Sequence, residues 1–297
     1  MVTIPKRIAI ATSAAGVEYD ADMPRLLDAM LACGCEAQAL LWDSKQSWNT
    51  FDLVLIRSTW DYATRIVEFA RWIDSVSAGT LLANPAEVVC WNLDKNYLRD
   101  LASENIPVPP TRYLPVSEPL PVPVGDIVVK PAISAGARNT GRYRPEDHSR
   151  AVEHVRLLHD EGQVAMVQPY LHEIDTEGER ALVFLGGRFS HAMRKGAVLS
   201  EANGIDNNRF PHPDLRPYVP SGAELEVAEA ALRAIPGAPG PLPYARVDMV
   251  RMANGQPMVM ELELIEPNLF LASSEGAFSR FADVIVEFGS RQASEAS

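Results

Sequence analysis

Tyr244-Ala-Arg246-Val-Asp248 is followed thirteen residues later by Glu261-Leu-Glu263, with Asn254-Gly255 between the two segments. Asn-Gly flanked by alternating apolar residues, Val247 and Met249 before it and Met258 and Met260 after it, predicts a β-hairpin. Strand side chains alternate faces, so Arg246 and Asp248 share one face, and Glu261 and Glu263 share one on the partner strand. Three carboxylates on one wall repel one another unless a cation is present, and hard oxygen donors suit Mg²⁺. The adjacent arginine points to phosphate chemistry. A merely solvated polar face is the competing reading of an isolated acidic hairpin.

Upstream residues bear on that choice. Lys95 lies in Trp91-Asn-Leu-Asp-Lys95-Asn-Tyr97, and Lys130 ends the apolar run Gly125-Asp-Ile-Val-Val-Lys130. The loop Pro131-Ala-Ile-Ser134-Ala135-Gly136-Ala-Arg138-Asn-Thr140 follows at once. Its small residues leave backbone N–H groups free to cradle phosphate oxygens. It is not a Walker A loop, because Gly-Lys-Ser/Thr is missing and no helical pattern follows directly.

Two lysines, a small-residue loop and three carboxylates in this order resemble the ATP-grasp superfamily, the ligases that include glutathione synthetase and D-alanine–D-alanine ligase. The resemblance runs from about Asn92 to Phe270. It implies an α/β (α+β) fold: an N-terminal parallel α/β substrate lobe over 1–91, a central lobe over 92–171 and a C-terminal lobe over 172–297, the last two enclosing ATP. It implies that Lys95 and Lys130 contact the α- and β-phosphates, and that Ser134, Ala135 and Gly136 lie in the flexible phosphate loop. In Val164-Ala-Met-Val-Gln168-Pro169-Tyr170-Leu171, Gln168 and the backbone through Pro169 and Tyr170 to Leu171 would face adenine. Glu173 or Asp175 would hold the ribose, with the choice left open. Asp248, Glu261 and Glu263 would bind Mg²⁺. Most relatives carry Asn where this chain has Glu263, and the extra carboxylate favours the metal. Whether Glu263 binds metal or a substrate amine stays open. Glu266, before Pro267, reads as a turn residue.

The 297-residue chain is 47% apolar with a net charge of −12, enough for two or three lobes with real cores. Its acidity and lack of a basic stripe argue against nucleic acid. No apolar run reaches membrane-spanning length. Glu18, Asp20 and Asp22 follow a brief first strand where a signal peptide would need an apolar stretch, so a cytoplasmic location is expected. Cys33, Cys35 and Cys90 form neither a disulfide framework nor a zinc pattern. A small amino-acid-like molecule is the expected partner, and a homodimer is left open.

In the first lobe, Arg7–Thr12, Ala37–Leu41 and Phe51–Ile56 read as strands and Met23–Leu31 as a helix, which predicts a parallel sheet with its ligand at the strand carboxyl ends. The third strand ends in Arg57-Ser-Thr59-Trp60-Asp61-Tyr62, where a small substrate would dock. Arg57 suits a carboxylate in bidentate geometry and Asp61 an ammonium. Core packing is the competing reading for Trp60 and Tyr62, and an Arg57–Asp61 pair for the two charges. Phe69, Trp72, Ile73 and Val76 share a helix face and read as core. The prolines from Pro107 to Pro123 interleave with Val108, Tyr113, Leu114, Val122 and Val124 and read as a strand-flanking connection in the central lobe.

Glu179 to Lys195 reads as a second hairpin turned at Gly186-Gly187. Its His191 reads as structural; Arg194 or Lys195 would supply charge to the γ-phosphate. Residues 196–220 form a polar segment long enough to close over the site. Ser221-x-x-Glu224 is a capping box opening a helix.

The resemblance implies phosphorylation of a carboxylate by ATP and displacement of phosphate by a nitrogen, with Arg246 placed for the tetrahedral oxyanion. Arg57–Tyr62, Trp91–Tyr97 and Glu261–Pro267 together look like the glutathione-synthetase-like branch that contains O-ureido-serine cyclo-ligase, whose product is D-cycloserine. An intermolecular amino-acid or peptide ligase and a nucleotide-binding module without catalysis are the alternatives.

Overall fold

Residues 5–199, 204–205, 207, 213–238 and 240–295 are described by the computed structural model. The first lobe pairs β1 (Arg7–Thr12), β2 (Glu36–Leu41), β3 (Leu53–Ile56) and β4 (Leu81–Ala83) in the order β2-β1-β3-β4, all parallel. Ile8 to Ala11 and Leu53 to Leu55 are fully buried, as unbroken apolar strands covered on both faces must be. The lobe's helices are α1 (Ala14–Tyr19), α2 (Met23–Ala32) and α3 (Ile66–Ser77). Phe69, Trp72, Ile73 and Val76 of α3 pack with Trp42 and Trp48 on one face of the sheet, as the helical spacing predicts. β4 has no counterpart among the expected strands.

Two short helices, α4 (Ala86–Asn92) and α5 (Tyr97–Ser103), lead on and hold Lys95 between them. The central lobe contains β5 (Arg112–Leu114), β6 (Ile127–Pro131), β7 (Gly141–Tyr143), α6 (His148–Asp160) and β8 (Ala165–Pro169). Within the proline-rich stretch only Arg112–Leu114 forms a strand. Tyr113 and Leu114 are buried, whereas Val122 and Val124 stand exposed.

After α7 (Glu173–Glu177), the third lobe forms from β9 (Glu179–Leu185), β10 (Arg188–Lys195), β11 (Gly204–Ile205), β12 (Arg216–Tyr218), α8 (Gly222–Arg233), β13 (Tyr244–Arg251) and β14 (Pro257–Glu263). Its antiparallel sheet runs β12-β10-β9-β13-β14. β11 instead joins the central sheet, whose order is β11-β7-β6-β8-β5. The segment after β10 therefore straps the third lobe to the central one. The expected closing segment over 196–220 falls partly on residues 200–203, 206 and 208–212, outside the described residues. The Ser221–Glu224 capping box is present with both reciprocal bonds.

The final helix, α9 (Ala277–Glu295), returns to the first lobe. Phe281, Ile285 and Phe288 enter one core with Ile8, Ile10, Leu26 and Met30. Tyr244 ties the same lobe to the third. Its hydroxyl donates to Ile265 O at 2.7 Å and accepts from Asn84 N at 3.3 Å, with the carbonyls of Ile56 and Ala83 3.1 and 3.2 Å away.

Candidate active site

β13 and β14 pair with Arg246 opposite Glu263 and Asp248 opposite Glu261, and a bulge follows Asp248. Arg246 Nε and Nη2 donate to the two oxygens of Asp248 at 2.8 and 2.9 Å, and Nη2 also bonds Glu263. Lys195 Nζ lies 2.5 Å from Asp248 and 2.8 Å from Glu179. Lys95 Nζ lies 3.1 Å from Glu261 and donates to Ser134 O at 2.7 Å. The acidic wall is thus balanced by protein cations, which the reading from repulsion alone did not anticipate.

The charges sort by neighbour. Burial works against ionised Asp248, but Arg246 and Lys195 outweigh it and hold the carboxyl well below its usual range. Glu261 is likewise held low by Lys95 and Lys130 against its burial. Glu263 goes the other way: burial, with Asp248 and Glu261 adding to it against Arg246, pushes it up to about 7. Among the described residues no three His, Cys, Asp or Glu groups make a ready cation cage. Mg²⁺ needs only one or two carboxylates when phosphate oxygens supply the rest, and the crowded negative charge at Glu263 is what a divalent cation relieves. The donor set fits Mg²⁺.

Lys130 differs from the other cations. Its ammonium has no hydrogen bond or ion pair among the described residues, and burial lowers its proton affinity. Past β6 the backbone turns left-handed at Gly136, Ala137 and Asn139, with φ of 63°, 56° and 50°. Loops of this kind form anion-binding concavities. Asn139 is anchored from outside: its carbonyl accepts from His154 Nε2 at 3.1 Å, while His154 Nδ1 faces the Tyr143 hydroxyl at 2.9 Å. Neither His154 nor Tyr143 was singled out from the sequence.

At the linker, Gln168 turns inward and donates to Thr111 Oγ1 at 2.8 Å, and the Tyr170 amide is taken by Asp126 O at 2.9 Å. Asp175 bonds the Tyr170 hydroxyl and faces Arg142 at 3.4 Å; Glu173 accepts from Ala253 N at 3.2 Å. Leu171 packs with Ile174, Val250, Met258 and Met260 into an apolar wall. Met260 is one residue from Glu261, a proximity visible in the sequence but not used.

Several expected positions need correction. Arg194 does not enter the cleft: it donates to Glu177 O at 2.7 Å, Thr176 O at 3.0 Å and Asp214 at 2.9 Å, because alternation sends only Lys195 inward. Arg246 is more committed than an open oxyanion donor, since Nη1 also donates to Asn268 O at 3.0 Å. Arg57 is buried in a bidentate pair with Asp20, 2.7 and 2.9 Å, and not with Asp61. Asp61 turns back to accept from Trp42 Nε1 at 2.9 Å and Arg65 at 3.1 Å. Trp60 is partly exposed. Thr59 is fully buried with an unpartnered hydroxyl, and Tyr62 is raised by burial and by the charges of Glu266, Glu263 and Glu261. Tyr62 is thus within reach of the charges of the acidic wall. Glu266 lies within reach of the charges of Glu263, Arg246 and Glu261. His191 is structural as expected, its Nε2 bonded to Leu269 O at 2.8 Å.

Comparison with known proteins bears on the family and the fold. The D-cycloserine synthetase DcsG N-terminal domain family matches residues 8–84. The cycloserine biosynthesis protein DcsG of Streptomyces lavendulae is 37% identical over 295 residues, 94% of this chain and 98% of that protein. The chain belongs to the DcsG family. The crystal structure of D-cycloserine synthetase DcsG superposes with a TM-score of 0.87 at 34% identity, covering 95% of this chain and 99% of that one. D-alanine–D-alanine ligase from Bacillus anthracis superposes with a TM-score of 0.70 at 18% identity over 98% of this chain and 100% of that one, which shows the shared ATP-grasp fold. Among the described residues no helix is long and apolar enough to cross a membrane.

Proposed function

We propose that this DcsG-family chain is an ATP-dependent, cytoplasmic ligase that phosphorylates the carboxylate of O-ureido-D-serine and closes it to D-cycloserine, with ADP and phosphate released and the carbamoyl group lost, with water, as carbon dioxide and ammonia. The observation that carries the ligase reading is the meeting of Lys95, Lys130 and Glu261 in one cleft: phosphate-binding cations face the acidic wall directly. The relative's name supports the product.

A carboxylate resists attack because oxide is a poor leaving group, and phosphorylation supplies a good one. Lys130, whose ammonium lacks a protein partner, is suited to the nucleotide phosphates, with Lys95 beside it. The Ser134–Thr140 loop would cover them, and the Leu171–Met260 wall would take the flat base. Mg²⁺ held by Glu261 and Glu263, with Asp248 behind them, would neutralise charge on the transferring phosphoryl group. Arg246 and Lys195 hold the carboxylates in place. Thr59 and Tyr62 mark where the small substrate reaches the wall from the first lobe.

The deciding experiment is ADP release from Mg-ATP with a panel of amino acids, O-ureido-D-serine alone, and amine acceptors added in pairs. Turnover with O-ureido-D-serine and no acceptor is expected. Turnover only with pairs would make the chain an intermolecular ligase, and none with any substrate would leave a nucleotide-binding module.

A further inference from the structure

Between the acidic wall and the first lobe the chain runs Leu264-Ile265-Glu266-Pro267. Its backbone is pinned on both sides. Asn92 Oδ1 accepts from Leu264 N at 3.0 Å, Asn84 Nδ2 donates to Leu264 O at 2.7 Å, and the Tyr244 hydroxyl donates to Ile265 O at 2.7 Å. Pro267 restricts the next φ. From this fixed stem the half-buried Glu266 carboxyl extends without a hydrogen bond or ion pair among the described residues. It feels the charges of Glu263, Arg246, Glu261 and Lys95, and its own charge acts on Tyr62 and Tyr244. The Tyr244 hydroxyl that holds Ile265 O also lies 3.1 Å from Ile56 O, so Glu266 stands where the wall meets the end of β3.

An unpartnered acid in such a place is costly, and the other acids are engaged. Asp248 is held by Arg246 and Lys195, Glu261 by Lys95, and Glu263 by Arg246. His191 is tied to Leu269 O. We propose that Glu266 is the catalytic base of the second step, taking the proton from the nitrogen that attacks the acyl phosphate. The new bond joins that nitrogen to the acyl carbon. The bond from the carbon to the phosphate oxygen breaks, its electron pair leaves with phosphate, and the N–H proton goes to a Glu266 oxygen; the ring nitrogen still carries the carbamoyl group, which water then removes as carbon dioxide and ammonia.

Glu266 has this role only if the chain is the ligase proposed above, and the test separates the two. Wild type, Glu266→Gln and Glu266→Asp are each given Mg-ATP and O-ureido-D-serine, with and without hydroxylamine. Hydroxylamine traps an acyl phosphate as the hydroxamate and is nucleophilic enough to dispense with the base. Glu266→Gln is expected to lose cyclised product by about 10²–10⁴-fold while hydroxamate forms within about threefold of wild type, and Glu266→Asp to recover part of the cyclisation. Undiminished cyclisation by Glu266→Gln overturns the base. Parallel loss of hydroxamate and product also overturns it, in favour of a binding or structural role. If wild type forms neither hydroxamate nor ring, the ligase reading itself fails.

Discussion

Arg57, buried, and Lys130, half-buried, are both cations read from the sequence as ligand contacts, and their surroundings divide them. Arg57 has its counter-charge inside the protein, in Asp20. Lys130 makes no ion pair or hydrogen bond among the described residues and feels Glu261 and Glu179 only at a distance, so part of its desolvation is a cost that a phosphate would offset. Lys130→Ala should therefore weaken nucleotide binding about ten- to hundredfold, the worth of a charge-assisted contact. The same change should leave the nucleotide-free protein about as stable, because relief of the ammonium's desolvation is set against the loss of its attraction to Glu261. Calorimetric titration and thermal melting of one variant read both quantities, and equal affinity in variant and wild type would remove Lys130 from the phosphate site. The types of these residues were legible in the sequence. Their partners were not, because Arg57 and Asp20 lie 37 positions apart and meet only across strand ends.

At the scale of elements, the hairpin carrying the wall was legible as a hairpin, because the Asn254-Gly255 turn acts locally, but its bulge after Asp248 was not, and that bulge places Met258 and Met260 in a different cluster from Val247 and Met249. The Glu179–Lys195 hairpin and the capping box were legible for the same reason. The strap formed by β11 and the anchoring of the phosphate loop by α6 were not. Both depend on contacts between distant segments that leave no periodic trace. The His154 anchor has a pH signature. Burial lowers its pKa from 6.5 to about 4, so the unfolded chain takes up a proton that the folded chain refuses. The stability it contributes is complete above 6.5 and drains as pH falls toward 4. Wild type should lose about 2 kcal/mol from this residue between pH 7 and pH 5, a loss missing from His154→Phe. Urea midpoints of both proteins at the two pH values measure it; equal losses would show that His154 is not buried neutral.

For the whole molecule, the arrangement depends on contacts that hold the first lobe against the third. Tyr244 is the most concentrated of them, a fully buried ring on β13 whose hydroxyl lies among groups from β3, β4 and the Ile265 turn. Tyr244→Phe leaves the Ile265 carbonyl without its donor and should cost about 1–3 kcal/mol. Because the same bond pins the stem of Glu266, activity should fall along with stability. Urea denaturation beside steady-state kinetics tests this, and unchanged values in both would mean that water or Asn84 fills the gap.

The return of α9 also bears on how the protein is made. Phe281, Ile285 and Phe288 complete a core whose other half, Ile8, Ile10, Leu26 and Met30, is translated long before them. The ribosome exposes that half-built apolar face while both ATP-grasp lobes are still being synthesised. The earliest lobe in the chain is thus the one whose core receives its last residues at the end of synthesis. Its sheet is the surface on which a nascent-chain chaperone would act, and slow translation ahead of α9 would prolong the exposure.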